Sequence, residues 1–358
     1  MSVFEAARSG PITAQNRSIA VEAWLWLIAA LVFAMIVVGG ATRLTDSGLS
    51  ITEWQPLLGA IPPMSEADWH AAFEKYRQIP QYHQVNKGMS LAEFQFIYWW
   101  EWAHRFLGRF IGVAFALPLV WFWVRRSLPR GMTPKLVGIF MLGGLQGAIG
   151  WYMVKSGLVE RIDVSQYRLA LHLTVAMMIL ALVVWLALDL RPARPALRLS
   201  TVTRGQRRLA QGIIALILFQ TVLGGFVAGL NAGLTYNTWP LMDGNVIPNG
   251  LGTLSPWYLN LFENVTTVQF NHRMMAYAVL IAVLVQAAWI MRSADVVHLV
   301  RSALALAGAV VAQAALGIWT LLAVVPLGLG LAHQAGAAIV LAIAVWHAHT
   351  VMRAPRVV

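Results

Sequence analysis

The sequence predicts an all-α integral membrane protein whose eight transmembrane helices form two pseudo-symmetric four-helix bundles. Of its 358 residues, 59% are hydrophobic and only 11% are charged, whereas soluble domains have about 45–50% apolar and roughly 25% charged residues. A hydrocarbon core about 30 Å thick requires roughly 20 apolar residues per helix. Eight stretches meet this requirement, at about 22–42, 98–124, 136–154, 167–188, 209–230, 265–290, 300–322 and 327–350.

The distribution of Lys and Arg predicts the orientation of these spans. The two tails and segments 125–135, 189–208 and 291–301 hold 16 of the 26 basic residues, whereas loop 231–264 holds none. Because basic segments stay in the cytoplasm, we expect cytoplasmic termini and periplasmic positions for the long loops 43–97 and 231–264. The net charge of +11 therefore reflects topology and gives no evidence for nucleic-acid binding. The first span lacks a small-residue cleavage site and is predicted to be a retained anchor.

An internal duplication predicts the domain boundaries. Three matches at one offset of 185 residues are Gly39-Gly40 with Gly224-Gly225, Gly48-Leu49 with Gly233-Leu234, and Trp54 with Trp239. Two further matches are His104-Arg105 with His272-Arg273, and Gln146, Gly150 and Trp151 with Gln313, Gly317 and Trp319. We therefore divide the chain into an N-terminal half (1–190), a cytoplasmic linker (191–208) and a C-terminal half (209–358). Four helices per half make this a parallel repeat, related by an axis along the membrane normal.

Histidines are the main candidate metal ligands, because the chain has nine of them and no cysteine. The missing cysteine excludes disulfides, thiolate catalysis and iron–sulfur clusters. Five histidines are expected to be solvated or interfacial, namely His70, His83, His298, His347 and His349. Four lie inside the second, fourth, sixth and eighth spans, namely His104, His172, His272 and His333. All four spans enter from the periplasm, which places these imidazoles at one depth, roughly 8–10 Å below that boundary at 1.5 Å per residue.

Two imidazoles from facing helices of a four-helix bundle are an axial ligand set for heme. A zinc or di-iron centre would require more ligands per site, carboxylates included, and on these helices only Glu101 lies at a comparable depth. Taken singly, each histidine could instead be a core residue hydrogen-bonded across a helix pair. Four at one depth predict two bis-histidine heme positions, one in each half.

The two halves differ beside the first histidine. Glu101 lies three residues before His104 and on the same helix face, whereas the equivalent position of the second half is Gln269, which cannot titrate. A buried carboxylate near a heme can accept a proton or stabilise developing positive charge. The alternative is that Glu101 pairs with Arg105 or caps the helix. The contrast favours a reactive first half and a permanently occupied second half.

Basic and aromatic side chains complete the candidate site. Arg105, Arg109 and Arg273 are candidate partners of heme propionates because guanidinium matches carboxylate geometry, with snorkelling to the surface as the alternative. The cluster Tyr98, Trp99, Trp100 and Trp102 predicts an interfacial aromatic belt. Stacking on a porphyrin or an isoprenoid tail is the other interpretation of this cluster.

Three motifs resemble those of the heme A synthase family. They are GGATRLTDSGLSITEW at 39–54, EWAHR at 101–105 and NHR at 271–273. The likeness covers nearly the whole chain and is greatest to the proteobacterial and mitochondrial branch, although the loop cysteine pair of many Gram-positive members is missing. The resemblance implies a bacterial inner-membrane enzyme that oxidises a methyl group of heme O to a formyl group. The product, heme A, serves cytochrome c oxidase, and water supplies the oxygen.

The resemblance also implies a role for each candidate residue. His272 and His333 would ligate a resident heme b, His104 and His172 would bind the substrate heme O, and Glu101 would be the catalytic acid. Heme O synthase and cytochrome oxidase assembly proteins are candidate partners within the lipid membrane. Two rival functions remain: a quinol-linked di-heme b electron-transfer protein, which needs no acid, and a transporter, which would have broken helices near the midplane.

Overall fold

Long helices account for most of the structure, a computed structural model that describes residues 10–53, 58–160, 164–191, 202–293 and 297–355. We name the long helices α1 (Gly10–Leu44), α2 (Leu91–Val124), α3 (Met132–Glu160), α4 (Gln166–Asp189), α5 (Arg204–Gly229), α6 (Val265–Ser293), α7 (Val297–Leu322) and α8 (Leu327–Arg353). Each is long and apolar enough to cross a membrane. No β-strand occurs within the described ranges, where one isolated bridge joins Met242 and Asn245. The predicted all-α membrane fold is confirmed.

The bounds of α2 differ most from the prediction, which began this span at 98. The helix starts at Leu91 because Ser90 and Glu93 form a capping box, in which each side chain accepts a hydrogen bond from the backbone N–H of the other. Such a box satisfies backbone donors at the helix start. With 34 residues α2 is about 50 Å long, and this exceeds the hydrocarbon thickness. Its first turns therefore extend into the region of the first loop.

The turn between α7 and α8 is built from two valines. Pro326 does precede α8, but Gly328 and Gly330 lie inside that helix. Val324 and Val325 form the turn with φ angles of 60° and 53°, in the left-handed region that β-branched residues rarely adopt. A Cβ at Gly330 would lie 2.9 Å from Cδ1 of Leu44. The glycine thus permits close packing of α8 against the end of α1.

Four helices, α1, α4, α5 and α8, pack together at the centre of the molecule. Within each half the first helix contacts the second and fourth, and the third contacts the second and fourth. The halves meet where α4 packs against α5 and α8, and where α8 packs against α1. Each of these contacts between long helices within the first half therefore has a counterpart in the second.

The exact boundaries of the halves remain a prediction. Helix α5 begins at Arg204, inside the predicted linker 191–208. Residues 192–201 of that linker, and Trp54 of the proposed repeat, lie outside the described residues.

The glycine pairs of the repeat serve the contacts between the halves. A Cβ at Gly40 on α1 would lie 2.5 Å from Oε1 of Gln334 on α8. A Cβ at Gly225 on α5 would lie 2.6 Å from Cα of Ala170 on α4. The second glycine of each pair therefore lies where a helix of the other half approaches closely, against a side chain at Gly40 and against the backbone at Gly225.

The first long loop has a small apolar core of its own. It contains two short helices, Glu66–Tyr76 and Pro80–Gln84. Ser65 caps the first of them, and hydrogen bonds from Ser65 lower the pKa of Asp68. The buried residues that join the loop to the start of α2 are Leu49, Phe73, Tyr76, Ile79, Tyr82, Phe94, Ile97 and Tyr98. The loop is thus a packed cap over one end of the first half.

Candidate functional site

Each of the four predicted histidines packs against a glycine of the preceding long helix. The pairs are His104 on α2 with Gly39 on α1, His172 on α4 with Gly150 on α3, His272 on α6 with Gly224 on α5, and His333 on α8 with Gly317 on α7. A Cβ built on these glycines would lie 2.9, 3.0, 3.2 and 2.7 Å, respectively, from the Cε1 atom of the histidine. Real Cβ atoms essentially never approach closer than 3.0 Å. One helix-pair arrangement thus occurs four times, and at Gly39 and Gly317 a Cβ would lie below this limit.

In the first half the structure brings His104 and His172 together. Their ring centres are 6.4 Å apart and their planes are inclined by 59°. An imidazole nitrogen lies about 2 Å from a bound metal such as zinc, so two rings on one metal have centres roughly 6 Å apart. Both rings are half-buried, and neither Nδ1 atom has a hydrogen-bond partner. The spacing and the free nitrogens fit a pair of axial ligands.

In the second half, two glutamines contact the histidines. The amide nitrogen of Gln220 on α5 is 3.1 Å from Nδ1 and 3.3 Å from Nε2 of His272. The amide nitrogen of Gln313 on α7 is 3.1 Å from Nδ1 of His333. Each amide also donates to the backbone carbonyl of the same histidine. These glutamines received no role from the sequence, although Gln313 was part of the repeat.

Glu101 is buried, and both of its carboxylate oxygens have hydrogen-bond or ion-pair partners. Its Oε2 accepts hydrogen bonds of 2.7 Å from Ser50 Oγ and from the backbone N–H of Ile51. Its Oε1 forms an ion pair with Arg105 at 2.5 Å. The structure therefore contains the ion pair that the sequence left open as an alternative. The carboxylate also anchors the start of the first loop to α2.

The equivalent residue of the second half, Gln269, makes similar contacts with reversed polarity. Its amide donates to the backbone carbonyls of Ala232 and Thr235, at 2.7 and 2.5 Å. Its oxygen accepts a 3.0 Å hydrogen bond from Arg273. Both halves thus anchor their loop in the same place, but only the first half does so with a carboxylate.

The arginines are held by the loops. Arg105 donates to the backbone carbonyls of Ile51 and Glu53, and Arg273 donates to those of Tyr236 and Thr238. Arg109 lies one turn further along α2. Their proposed contact with propionates stays a prediction.

A cavity of about 400 Å³ lies beside Arg105. Its lining residues are Ile51, Thr52, Glu53, Arg105, Trp151, Val154 and Lys155. One of its lining residues, Trp151, directly follows Gly150 on α3. Two basic side chains, Arg105 and Lys155, and one acidic side chain, Glu53, therefore line this space.

The prediction for two of the remaining histidines was wrong. His347 and His349 are buried, with 1% and 6% exposure, and are neither solvated nor interfacial. His347 contacts Gln286 at 3.1 Å and Ser302 at 2.9 Å, and His349 contacts Asp189 at 3.0 Å. These partners bind both ring nitrogens of His347 and Nε2 of His349, at the far end of the bundle. His70 and His83 are exposed as predicted, and His298 is half-buried.

The predicted aromatic belt is divided between two environments. Trp99 is 43% exposed, and Trp102 stacks on Phe106 with ring centres 4.9 Å apart. Tyr98 instead belongs to the core of the first loop, where its ring meets Trp69 at 5.0 Å. The reason is the extension of α2, which brings Tyr98 under the cap formed by the loop.

Comparison with known proteins agrees with these features. A family model described as COX15-CtaA, cytochrome oxidase assembly protein, matches residues 22–345. A heme A synthase of Parvibaculum lavamentivorans is 56% identical over 330 residues, which are 92% of this chain and 94% of that protein. A heme A synthase of Brucella ovis is 54% identical over 91% of this chain and 90% of its own length. The chain therefore belongs to the COX15-CtaA family of cytochrome oxidase assembly proteins, as its resemblance to heme A synthases had indicated.

Proposed function

We propose that the protein is a heme A synthase, a multi-pass membrane enzyme that oxidises a methyl group of heme O to the formyl group of heme A. The observation that carries this proposal is an asymmetry within a repeat. Both halves contain the same pair of histidine–glycine contacts, but a buried carboxylate, Glu101, accompanies only the first pair. The heme A synthases of Parvibaculum and Brucella match this chain over nine-tenths of its length.

The residues of the second half fit a resident heme b. The rings of His272 and His333 pack against Gly224 and Gly317, respectively, and each ring contacts a glutamine amide. When bound there, heme b would supply one-electron redox chemistry through its iron. We assign His272 and His333 as its axial ligands.

The residues of the first half suit the substrate. His104 and His172 would hold heme O, and the cavity beside Arg105 offers basic side chains for propionates. Conversion of a methyl to a formyl group removes four electrons and four protons and adds the oxygen of one water. The electrons leave to an acceptor outside this chain.

Glu101 suits the role of a fixed negative charge. Arg105, Ser50 and Ile51 hold both of its oxygens, so the group is positioned before the reaction begins. As electrons leave the methyl carbon, positive character develops there, and a preorganised carboxylate would stabilise it while water adds. A second oxidation would give a hydrated aldehyde, which loses water to the formyl group.

A di-heme electron-transfer protein is the second candidate, because the histidine–glycine arrangement is the same in both halves. It predicts two equivalent and permanent heme B groups per chain and no role for Glu101. The names of the relatives favour the synthase.

We further propose that the enzyme lies in the bacterial inner membrane with both termini in the cytoplasm. Loops 43–97 and 231–264 would then face the periplasm, and the first-loop cap would cover the substrate site from that side. Heme O synthase and cytochrome oxidase assembly proteins are the proposed partners that supply heme O and receive heme A.

Expression in a bacterial host that makes heme O but no heme A tests the function. We expect mass spectrometry of the extracted hemes to find heme A only in cells that produce this protein, and heme B in the purified protein. Two heme B groups per chain, with no heme A in the cells, would instead establish the electron-transfer function.

A further inference from the structure

Three of the four histidine-facing glycines are preceded, one helical turn earlier, by a glutamine. These pairs are Gln146 with Gly150, Gln220 with Gly224, and Gln313 with Gly317. The fourth glycine, Gly39, is preceded by Met35. The repeat therefore departs from its own pattern at one position in the first half.

The contacts of these four residues divide the halves more sharply than the sequence does. Gln220 and Gln313 reach Nδ1 of their histidines at 3.1 Å. Gln146 reaches only the backbone carbonyl of His172, at 2.9 Å. Met35 instead lies near α2, where a Cβ at Gly108 would be 3.3 Å from its Cε. Both second-half rings have an amide at Nδ1, and neither first-half ring has a partner there.

A partner at Nδ1 matters because a histidine that binds iron through Nε2 carries its proton on Nδ1. An acceptor for this proton fixes the orientation of the ring and raises its basicity as a ligand. An amide group can present its oxygen as well as its nitrogen. In the structure the amide nitrogens of Gln220 and Gln313 lie at Nδ1 and also donate to the histidine carbonyls. Exchange of the amide oxygen and nitrogen would bring Oε1, which has no hydrogen-bond partner, to a protonated Nδ1 as its acceptor.

We propose that Gln220 and Gln313 are positioning residues that make the second-half site retain its heme. In the first half no amide contacts the Nδ1 atoms of His104 and His172, and this site therefore exchanges its heme. The inference rests on the proposed function, in which one heme stays and the other enters and leaves in every turnover. A substrate site with equally strong ligands would hold its product. With Met35 in place of a glutamine, and with Gln146 bound only to the backbone of His172, the first-half ligands are weaker and the product can leave.

Replacement of the second-half glutamines tests the proposal directly. We expect the variants Gln220→Met and Gln313→Met to release heme B to excess apomyoglobin about tenfold faster than the wild-type protein, since loss of an outer-shell partner weakens metal binding 10–100-fold. The midpoint potential of heme B should rise, because a less basic ligand stabilises ferric iron less. Unchanged release and potential in both variants would overturn the proposal.

A matched control is available in the first half. Gln146→Met removes a glutamine of the same helical position that does not contact a ring, and we expect heme B release and potential to stay at wild-type values. The conservative variant Gln220→Glu keeps an acceptor oxygen and should also release heme B slowly. If Gln220→Glu released heme as fast as Gln220→Met, packing rather than the hydrogen bond would be responsible, and the proposal would be wrong.

Addition of a glutamine to the first half should make that site retain its heme longer. Met35→Gln restores the repeat pattern in the first half and should slow the transfer of bound heme O or heme A to apomyoglobin about tenfold.

The variant His272→Ala separates the ligand assignment from the role of the glutamines. Retention of heme B by His272→Ala would overturn the proposed ligand assignment itself. Its loss there, together with wild-type release from Gln220→Met, would overturn only the role of the glutamines.

Discussion

Gly39 and Gly317 occupy positions where one added methyl group would meet an imidazole. A Cβ at Gly317 would lie 2.7 Å from Cε1 of His333, so Gly317→Ala must displace the ring. We expect this variant to lose heme B, measured as heme per purified chain, because the displaced His333 ring would no longer be oriented to bind the iron. Gly308→Ala on the same helix is the control, since no atom lies within 4 Å of that Cβ position.

The corresponding change in the first half should affect heme A formation and spare the bound heme B. A Cβ at Gly39 would lie 2.9 Å from Cε1 of His104. Gly39→Ala should therefore leave heme B bound and lower heme A formation. Loss of heme B from Gly39→Ala with normal heme A yield from Gly317→Ala would reverse the assignment of the two halves.

The charge of Glu101 can be separated from its structural role. We expect Glu101→Gln to retain heme B but to lower the rate of heme A formation by about 100-fold or more, as for loss of a preorganised electrostatic group. Ser50→Ala is the control, because it removes one hydrogen bond to the carboxylate and keeps the charge. If Ser50→Ala lost as much activity, anchoring of the first loop would explain both effects.

At the level of residues, the sequence identified groups that stand out by their type. Ionisable side chains inside apolar spans are rare, so His104 and Glu101 could be recognised without a structure. The contact of Gln220 with a ring could not, because a glutamine in a helix has many uses and its direction depends on how two helices pack. The burial of His347 was missed for the same reason, since its partners Gln286 and Ser302 come from two other helices.

Among the elements, α4 and α5 bring the two halves into contact at Gly225. A Cβ at Gly225 would lie 2.6 Å from Cα of Ala170, and a backbone atom cannot yield as a flexible side chain can. We expect Gly225→Ala to destabilise the protein by about 1–3 kcal/mol, measured as a lower Tm in detergent. Gly212→Ala on the same helix has no atom within 4 Å and should not lower the Tm. Equal values for both variants would contradict this packing.

The number and order of the long helices were predictable because hydropathy marks each membrane crossing. Their ends were not, because a helix continues beyond the membrane wherever its backbone is satisfied. Ser90 with Glu93 and Thr203 with Gln206 form capping boxes in the structure, and each pattern is visible in the sequence. The turn of Val324 and Val325 has no such pattern, since neither valine favours positive φ.

For the whole molecule, the positive-inside pattern predicts which loops face the periplasm. The natural chain has no cysteine, so a single introduced thiol reports the side of its own position. In intact cells we expect a membrane-impermeant maleimide to label Val246→Cys, at a site with 75% exposure in loop 231–264. Arg130→Cys, between α2 and α3, should be labelled only after the membrane is opened. The reverse pattern would show the opposite orientation.

The division of labour between the two halves is the central claim, and the hemes bound by four single variants test it most directly. Hemes are extracted from purified His104→Ala, His172→Ala, His272→Ala and His333→Ala proteins and identified by mass spectrometry. We predict that heme B is lost only from His272→Ala and His333→Ala, and that His104→Ala and His172→Ala keep heme B but form no heme A. Loss of heme B from the first-half variants, with its retention in the second-half variants, would contradict the claim.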